Sequence, residues 1–151
     1  GGVRCLSFDA EGKTLVAGGT TPANGGTVQG EPHALLFDWA SGKLEQKVVF
    51  GSKSECFLQE AVLLPDNVLL GVTSGVPGNG RLSFFVVGEE KPFFQGKGIA
   101  NCHSLALDPD KRRLAVVATS PGSNGNGRRL KDGEYLANHS PIHLLEFPQS
   151  A

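Results

Sequence analysis

The sequence predicts an all-β fold made of about three repeated four-stranded antiparallel units, the last of them incomplete. Three observations support this prediction. Apolar and polar residues alternate in short runs, which is the pattern of half-buried strands. The 151 residues include 21 Gly and 9 Pro, a composition typical of a chain with many turns. Finally, one two-strand pattern recurs three times along the chain, as expected for a repeat protein.

The recurring pattern is a pair of alternating strands joined by a tight turn. Its copies are VRCLSFDAEGKTLVAGGT, FLQEAVLLPDNVLLGVTS and CHSLALDPDKRRLAVVATS. With Phe8, Leu63 and Leu107 aligned, we expect the three copies to superpose without gaps, which makes Leu15 equivalent to Leu70. The turns contain the Asp, Asn, Gly and Pro residues that supply turn geometry.

A third apolar strand follows each pair, and a short fourth strand follows the first two. The third strands are ALLFDW, LSFFVV and IHLLEF, and the fourth strands lie around KLEQKVVF and KPFFQG. Four strands per unit, with a period near 50 residues, indicate the blades of a β-propeller. The predicted blades span approximately residues 3–50, 56–96 and 100–148, and the last is partial.

These residues resemble the WD40-repeat family over nearly the whole chain. Residues 8–15 and 107–114 resemble the first hairpin of that family, and residues 36–43 resemble its third strand and following turn. Phe37-Asp38 stands where the family has its Trp-Asp pair, but the Gly-His pair is absent. The resemblance therefore describes degenerate, bacterial-type repeats. It implies a non-catalytic scaffold for protein–protein interaction, with no cofactor and no metal. Other propeller families are the alternative.

Two complete blades and a partial one cannot close a ring, because propellers typically have about four to eight blades. We interpret the chain as the C-terminal part of a larger propeller. The alternatives are several copies that close a ring together, or a compact open domain. In isolation, the lateral faces of the two outer blades and an unpaired edge would be exposed, which is an aggregation hazard.

Long loops are expected on one face of the propeller, and binding sites are commonly found in such loops. We predict a protein-binding site there, formed by Arg81, Arg128, Arg129, Lys131 and Tyr135. The rival hypothesis is a propeller enzyme or small-ligand binder whose active groups lie on other blades or around the central channel.

Metal and thiol chemistry are not expected. His139 and His143 are four residues apart, but Pro141 lies between them and His143 falls in a predicted strand, so a helical zinc site is excluded. Cys5, Cys56 and Cys102 fall in or just before successive first strands, too far apart for disulfides. They are expected to be small buried residues, and their odd number favours a reducing compartment such as the cytoplasm.

Nucleic acid and membranes are not expected partners either. The net charge is -1, and the two basic clusters, residues 111–113 and 128–131, are predicted on opposite faces. No apolar run is long enough to cross a bilayer as a helix. The N-terminal residues also lack the features of a signal peptide.

Overall fold

The computed structural model describes residues 2–21, 30–76, 78–96, 99–108, 110, 113–119 and 128–147. Within these residues the fold is all-β, as predicted, and the strands pair in antiparallel sheets. The only helical element of the described chain is a 3-10 turn at Pro65–Asn67. No helix in this part of the chain is long and apolar enough to cross a membrane.

Three sheets follow one another along the chain. Sheet 1 contains β1 (Gly2–Phe8), β2 (Thr14–Thr20), β3 (Pro32–Asp38) and β4 (Leu44–Val49). Sheet 2 contains β5 (Phe57–Leu64), β6 (Val68–Ser74), β7 (Leu82–Val86) and β8 (Phe94–Gln95). Sheet 3 contains β9 (Cys102–Leu107), β10 (Arg113–Ala118) and β13 (Ile142–Glu146). In each sheet, neighbouring strands pair in chain order, except that β13 follows β10 directly.

A separate hairpin lies between β10 and β13, in a segment that we predicted to be a long loop. It consists of β11 (Arg128–Lys131) and β12 (Glu134–Asn138). The turn is Asp132-Gly133, whose φ angles are 53° and 84°. Two consecutive positive φ angles are typical of the tight turns that join hairpin strands, and Asp-Gly favours them. Part of the predicted long loop therefore forms a hairpin.

The expected gapless superposition of the three repeats is also wrong, by one residue, in sheet 2. Phe8 pairs with Leu15 and Leu107 pairs with Leu114, whereas Leu63 pairs with Leu69. Hence Leu69, rather than the following residue, is the equivalent of Leu15. The reason is the shorter β5–β6 turn, in which Asp66 and Asn67 adopt φ angles of 62° and 57°. Two left-handed residues reverse the chain within fewer positions.

The core consists of two apolar layers, one on each face of sheet 2. One layer joins sheet 1 to sheet 2 and includes Val16, Leu36, Val48, Phe50, Leu58, Leu63, Leu69 and Phe85. The other joins sheet 2 to sheet 3 and includes Leu70, Val72, Leu82, Phe84, Leu114 and Val116. Because side chains alternate along a strand, both faces of β6 are covered. This explains why β6 is almost continuously apolar.

The outer faces of sheets 1 and 3 are apolar and exposed. In sheet 1, pairing places Phe8, Leu15, Phe37 and Leu44 in one row across the four strands. Leu6, in the next row, is 66% exposed. In sheet 3, Ile142 is 65% exposed and Leu144 is 79% exposed. The expectation that the outer faces would expose apolar side chains is therefore confirmed.

The three cysteines are free, as expected. Cys56 and Cys102 are buried, and Cys5 is half-buried against the layer between sheets 1 and 2. Burial raises the pKa of the Cys102 thiol to about 12. A thiol with such a pKa stays protonated near neutral pH and is a poor nucleophile.

Candidate functional site

The long connections and the links between sheets meet at one end of the sheets, which we call the long-loop end. Backbone hydrogen bonds join them to one another. Val76 donates to the carbonyl of Ser54 over 2.9 Å, and Asn101 donates to the carbonyl of Asn79 over 2.9 Å. Thr119 in turn donates to the carbonyl of Asn101 over 3.3 Å. Residues from successive sheets thus form one connected surface at this end.

The long-loop end contains an ion pair between Arg81 and the buried carboxylate of Glu55. Arg81 Nη2 donates to Glu55 Oε1 over 2.6 Å, and the Glu55 side chain is 5% exposed. Glu55 Oε2 accepts hydrogen bonds from the Ser52 backbone N–H at 2.7 Å and from the Ser52 hydroxyl at 2.5 Å. Burial acts to raise the pKa of Glu55, but the Ser52 hydrogen bonds and the Arg81 charge together lower it below its ordinary value.

This arrangement gives Glu55 and Arg81 a structural role. Both carboxylate oxygens of Glu55 are occupied by donors, so it is not poised as a general base. Arg81 is one of the predicted partner-binding residues, and one of its guanidinium nitrogens donates to Glu55 in this ion pair. Its side chain nevertheless remains 38% exposed, which leaves the rest of the guanidinium group accessible from solvent.

A β-bulge occurs at the same place in each of the three sheets. The bulged residues are Arg4 in β1, Gln59 in β5 and His103 in β9. Each lies four residues before the aligned position of its repeat, close to the long-loop end. Bulges re-aim side chains and are often found beside functional sites. The Arg4 guanidinium lies 4.5 Å from the centre of the Phe57 ring, in a cation–π contact between sheets 1 and 2.

Two equivalent positions carry polar side chains in both sheet 2 and sheet 3, but they are hydrogen-bonded to each other only in sheet 2. In sheet 2 the Gln59 side-chain amide donates to the Ser74 hydroxyl over 2.7 Å. The corrected register makes His103 and Thr119 the equivalents of this pair. Among the described residues, however, His103 Nε2 and Thr119 Oγ1 have no hydrogen-bond partner, and neither has the side-chain amide of the fully buried Asn101.

Such buried polar groups are rare, because an unsatisfied donor or acceptor costs about 1–3 kcal/mol. Asn101 also has a φ angle of 51°, so its backbone adopts the left-handed conformation. This cluster of three side chains was not predicted from the sequence. The sequence feature that could have revealed it is the change from Gln59 and Ser74 in the second repeat to His103 and Thr119 at the equivalent positions of the third.

The remaining predicted binding residues lie on the β11–β12 hairpin. Arg129, Lys131 and Tyr135 are exposed. Tyr135 pairs with Leu130, which is also exposed, and alternation places Arg129 and Lys131 on the other side of the hairpin. The hairpin therefore has an apolar side and a basic side.

Some predicted features fall partly or wholly outside the described residues. Arg128 begins β11 and pairs with Asn138, but its side chain is not described. Lys111 and Arg112, in the other basic cluster, are likewise not described. Arg113 begins β10 and bonds to Asp108 over 3.0 Å, which places Arg113 at the turn end of sheet 3.

Within the described part of the chain, no group of three or more His, Cys, Asp and Glu side chains is placed to hold a metal ion. His143 lies in β13, as predicted. In comparisons with known proteins, no protein-family model and no curated protein matches the chain.

Proposed function

We propose that the chain is a segment of a WD40-like β-propeller and that it acts as a non-catalytic scaffold for protein–protein interaction. The observation that carries this proposal is the stacking of repeated sheets. Sheet 2 is covered on both faces by its neighbours, while the outer faces of sheets 1 and 3 expose apolar side chains. A propeller blade is expected to have a neighbour on each face.

The contacts between first strands support the same interpretation. The Ser7 hydroxyl in β1 donates to the carbonyl of Ala61 in β5 over 2.8 Å. The backbone N–H of Leu105 in β9 donates to Glu60 Oε2 in β5 over 2.6 Å. The first strands of successive sheets thus lie side by side, as they would around a propeller axis. The shared bulge position adds a third repeated feature.

An interaction role is favoured over catalysis by the state of the reactive groups. Glu55 is fully hydrogen-bonded, and the pKa of Cys102 is too high for a nucleophilic thiolate at neutral pH. The β11–β12 hairpin instead presents exposed Leu130 and Tyr135 on one side and basic side chains on the other. Exposed aromatic and cationic groups are common at protein interfaces.

The first test concerns the stacked sheets. Light scattering coupled to size-exclusion chromatography would measure the mass of the 15.8 kDa chain over a range of concentrations. We expect self-association through the outer apolar faces, and we expect Leu6→Glu together with Leu144→Glu to weaken it. A wild-type chain that stays monomeric at every concentration would contradict the idea that these faces require a neighbour.

The second test concerns the hairpin. We expect a variant with Arg129→Ala, Lys131→Ala and Tyr135→Ala to lose the proteins that the wild-type chain captures in an affinity experiment. Lys13→Ala, at an exposed turn of sheet 1, is the control and should retain them. Equal capture by the triple variant and the control would refute an interaction site on this hairpin.

A second candidate function is the binding of a small polar ligand at the long-loop end. The unpaired side-chain atoms of Asn101, His103 and Thr119 favour it, because they offer donors and acceptors that the described protein does not satisfy. This alternative predicts that His103→Ala would abolish ligand binding while leaving capture of protein partners unchanged.

A further inference from the structure

An apolar pocket opens between sheets 2 and 3 at the end opposite the long loops. Its volume is about 810 Å³. Ligand pockets commonly enclose about 300–1,000 Å³, so this one could admit a small organic molecule. Its walls come from the β5–β6 turn, from β7 and β8, and from the end of β13; they comprise Leu64, Pro65, Val68, Phe84, Phe93, Phe94, Leu145 and Phe147. We call this site the aromatic pocket.

Four phenylalanines dominate the lining. The Phe84 ring is at the centre, and its centroid lies 6.0 Å from that of Phe93, 5.3 Å from that of Phe94 and 5.6 Å from that of Phe147. Phe84 is buried, but Phe93 is 61% exposed and Phe94 is 41% exposed. Aromatic rings therefore remain accessible to a ligand rather than being consumed by core packing.

The junction between sheets 1 and 2 shows that the repeat does not require this lining. By strand pairing, Phe94 corresponds to Gln46 in sheet 1, because each lies opposite an equivalent position of the third strand. In the same way, Leu64 corresponds to Asp9. A side chain needed for stacking alone would be apolar at both junctions. The aromatic pocket is thus a feature of one junction only.

The rim of the pocket is acidic. Asp66 in the β5–β6 turn and Asp110 in the β9–β10 turn line it. Both side chains are exposed, and neither is in an ion pair with another described residue. Carboxylates beside accessible aromatic faces attract a cation that carries apolar groups, since the rings and the carboxylates both favour positive charge.

We propose that the aromatic pocket binds a hydrophobic ammonium cation, that is, an amine with an aryl or alkyl body. The apolar body lies against Phe84, Phe93 and Phe94, and the ammonium group faces the carboxylates of the rim. None of the residues that line this site belongs to the β11–β12 hairpin, so the proposal is independent of the proposed interaction function. An anionic or neutral molecule of the same shape would lack the electrostatic attraction to the carboxylates of the rim.

Isothermal titration calorimetry with two matched probes tests this proposal. The probes are 4-phenylbutylammonium and 4-phenylbutanoate, which share the phenylbutyl body and carry opposite charges. We expect the cation to bind at least about fivefold more tightly than the anion at low salt, with the difference shrinking as salt is added. Equal affinities for the two probes would overturn the proposal.

Two variants separate the aromatic and the charge contributions. Phe94→Gln installs the residue found at the equivalent position of sheet 1, and it should weaken cation binding about tenfold. Asp110→Lys, at an exposed position of the β9–β10 turn, should weaken binding of the cation and strengthen binding of the anion. Leu144→Gln, on the outer face of sheet 3, is the control and should change neither affinity.

Circular dichroism of each variant establishes that the fold is retained. Unchanged cation affinity in a folded Phe94→Gln variant would place the binding site elsewhere and overturn the proposal. An unchanged preference for the cation in the Asp110→Lys variant would overturn the proposed role of the acidic rim.

Discussion

Replacing Phe85 with alanine should remove much of the stability that sheet 1 and sheet 2 gain from packing together. Phe85 in β7 and Phe50 after β4 are each 1% exposed, and their ring centroids are 4.9 Å apart in an edge-to-face arrangement. Truncation of a buried phenylalanine to alanine typically costs about 3–5 kcal/mol. Because the free energy of unfolding of a domain is about 5–15 kcal/mol, the loss would be a large fraction of the total.

The aromatic contact itself can be measured with a double-mutant cycle. We expect a coupling energy of about 0.5–1.5 kcal/mol between Phe50 and Phe85, beyond the cost of lost burial. The pair Phe8–Trp39 is the matched control, since its rings lie 5.1 Å apart in a similar geometry but on the exposed outer face of sheet 1. Truncation of Phe8 should cost much less, on the order of 1 kcal/mol.

Urea unfolding followed by tryptophan fluorescence and circular dichroism would give these values. All variants should be compared at one protein concentration, because self-association adds to the apparent stability. For a chain of this size the Phe85→Ala change corresponds to a fall in Tm of about 10–15 °C. A Phe85→Ala variant that loses less than about 1 kcal/mol would refute the packing of sheet 1 against sheet 2.

Four further predictions concern single sites. Arg81→Ala should lower the free energy of unfolding by about 1–3 kcal/mol in chemical denaturation, because it leaves the buried Glu55 carboxylate without its cation. The pKa of Glu55 is lowered in the folded state, so the stability that this carboxylate contributes is present above its unfolded pKa of about 4.3 and is lost as pH falls through the folded pKa. Glu55→Gln should therefore flatten the dependence of the free energy of unfolding on pH between about pH 5 and 3. An unchanged pH dependence in this variant would contradict the prediction. Gly71→Ala should destabilise by about 1–3 kcal/mol, because a Cβ there would lie 2.5 Å from the Phe50 ring; an unfolding midpoint equal to that of the wild type would refute this close approach. Cys102 should resist alkylation at pH 8, where a thiol of pKa about 12 is ionised in roughly one molecule in 10,000, and mass spectrometry should find it modified only after unfolding.

Regular alternation allowed most strands to be predicted from the sequence. The paired strands and third strands were expected close to their observed positions, because one or both of their faces are apolar. The register of β6 was not predicted, since Leu69 and Leu70 are both buried, on opposite faces. A strand with two apolar faces gives no alternation that could reveal a shift of one residue.

The side-chain contacts of the candidate sites were harder to predict from the sequence than the strands. The role of Arg81 in partner binding stays a prediction, but its ion pair with Glu55, which lies 26 positions earlier, was not predicted. Such a long-range ion pair leaves no periodic pattern. The β11–β12 hairpin had a local signal, the Asp-Gly turn, but its strands have only four and five residues. The aromatic pocket needs side chains from two repeats, so no single repeat contains it.

The repeated bulge explains how one backbone design can carry different chemistry in each sheet. Its position is the same in all three first strands, so it belongs to the fold rather than to a ligand. The side chains differ: Arg4 contacts an aromatic ring, Gln59 donates to a serine hydroxyl, and His103 Nε2 has no partner among the described residues. Satisfied bulge residues at the first two positions are consistent with roles in joining and stabilising the sheets. The third position retains unused hydrogen-bonding capacity, so we expect substitutions at His103 to affect ligand recognition more than stability, and substitutions at Gln59 to do the reverse.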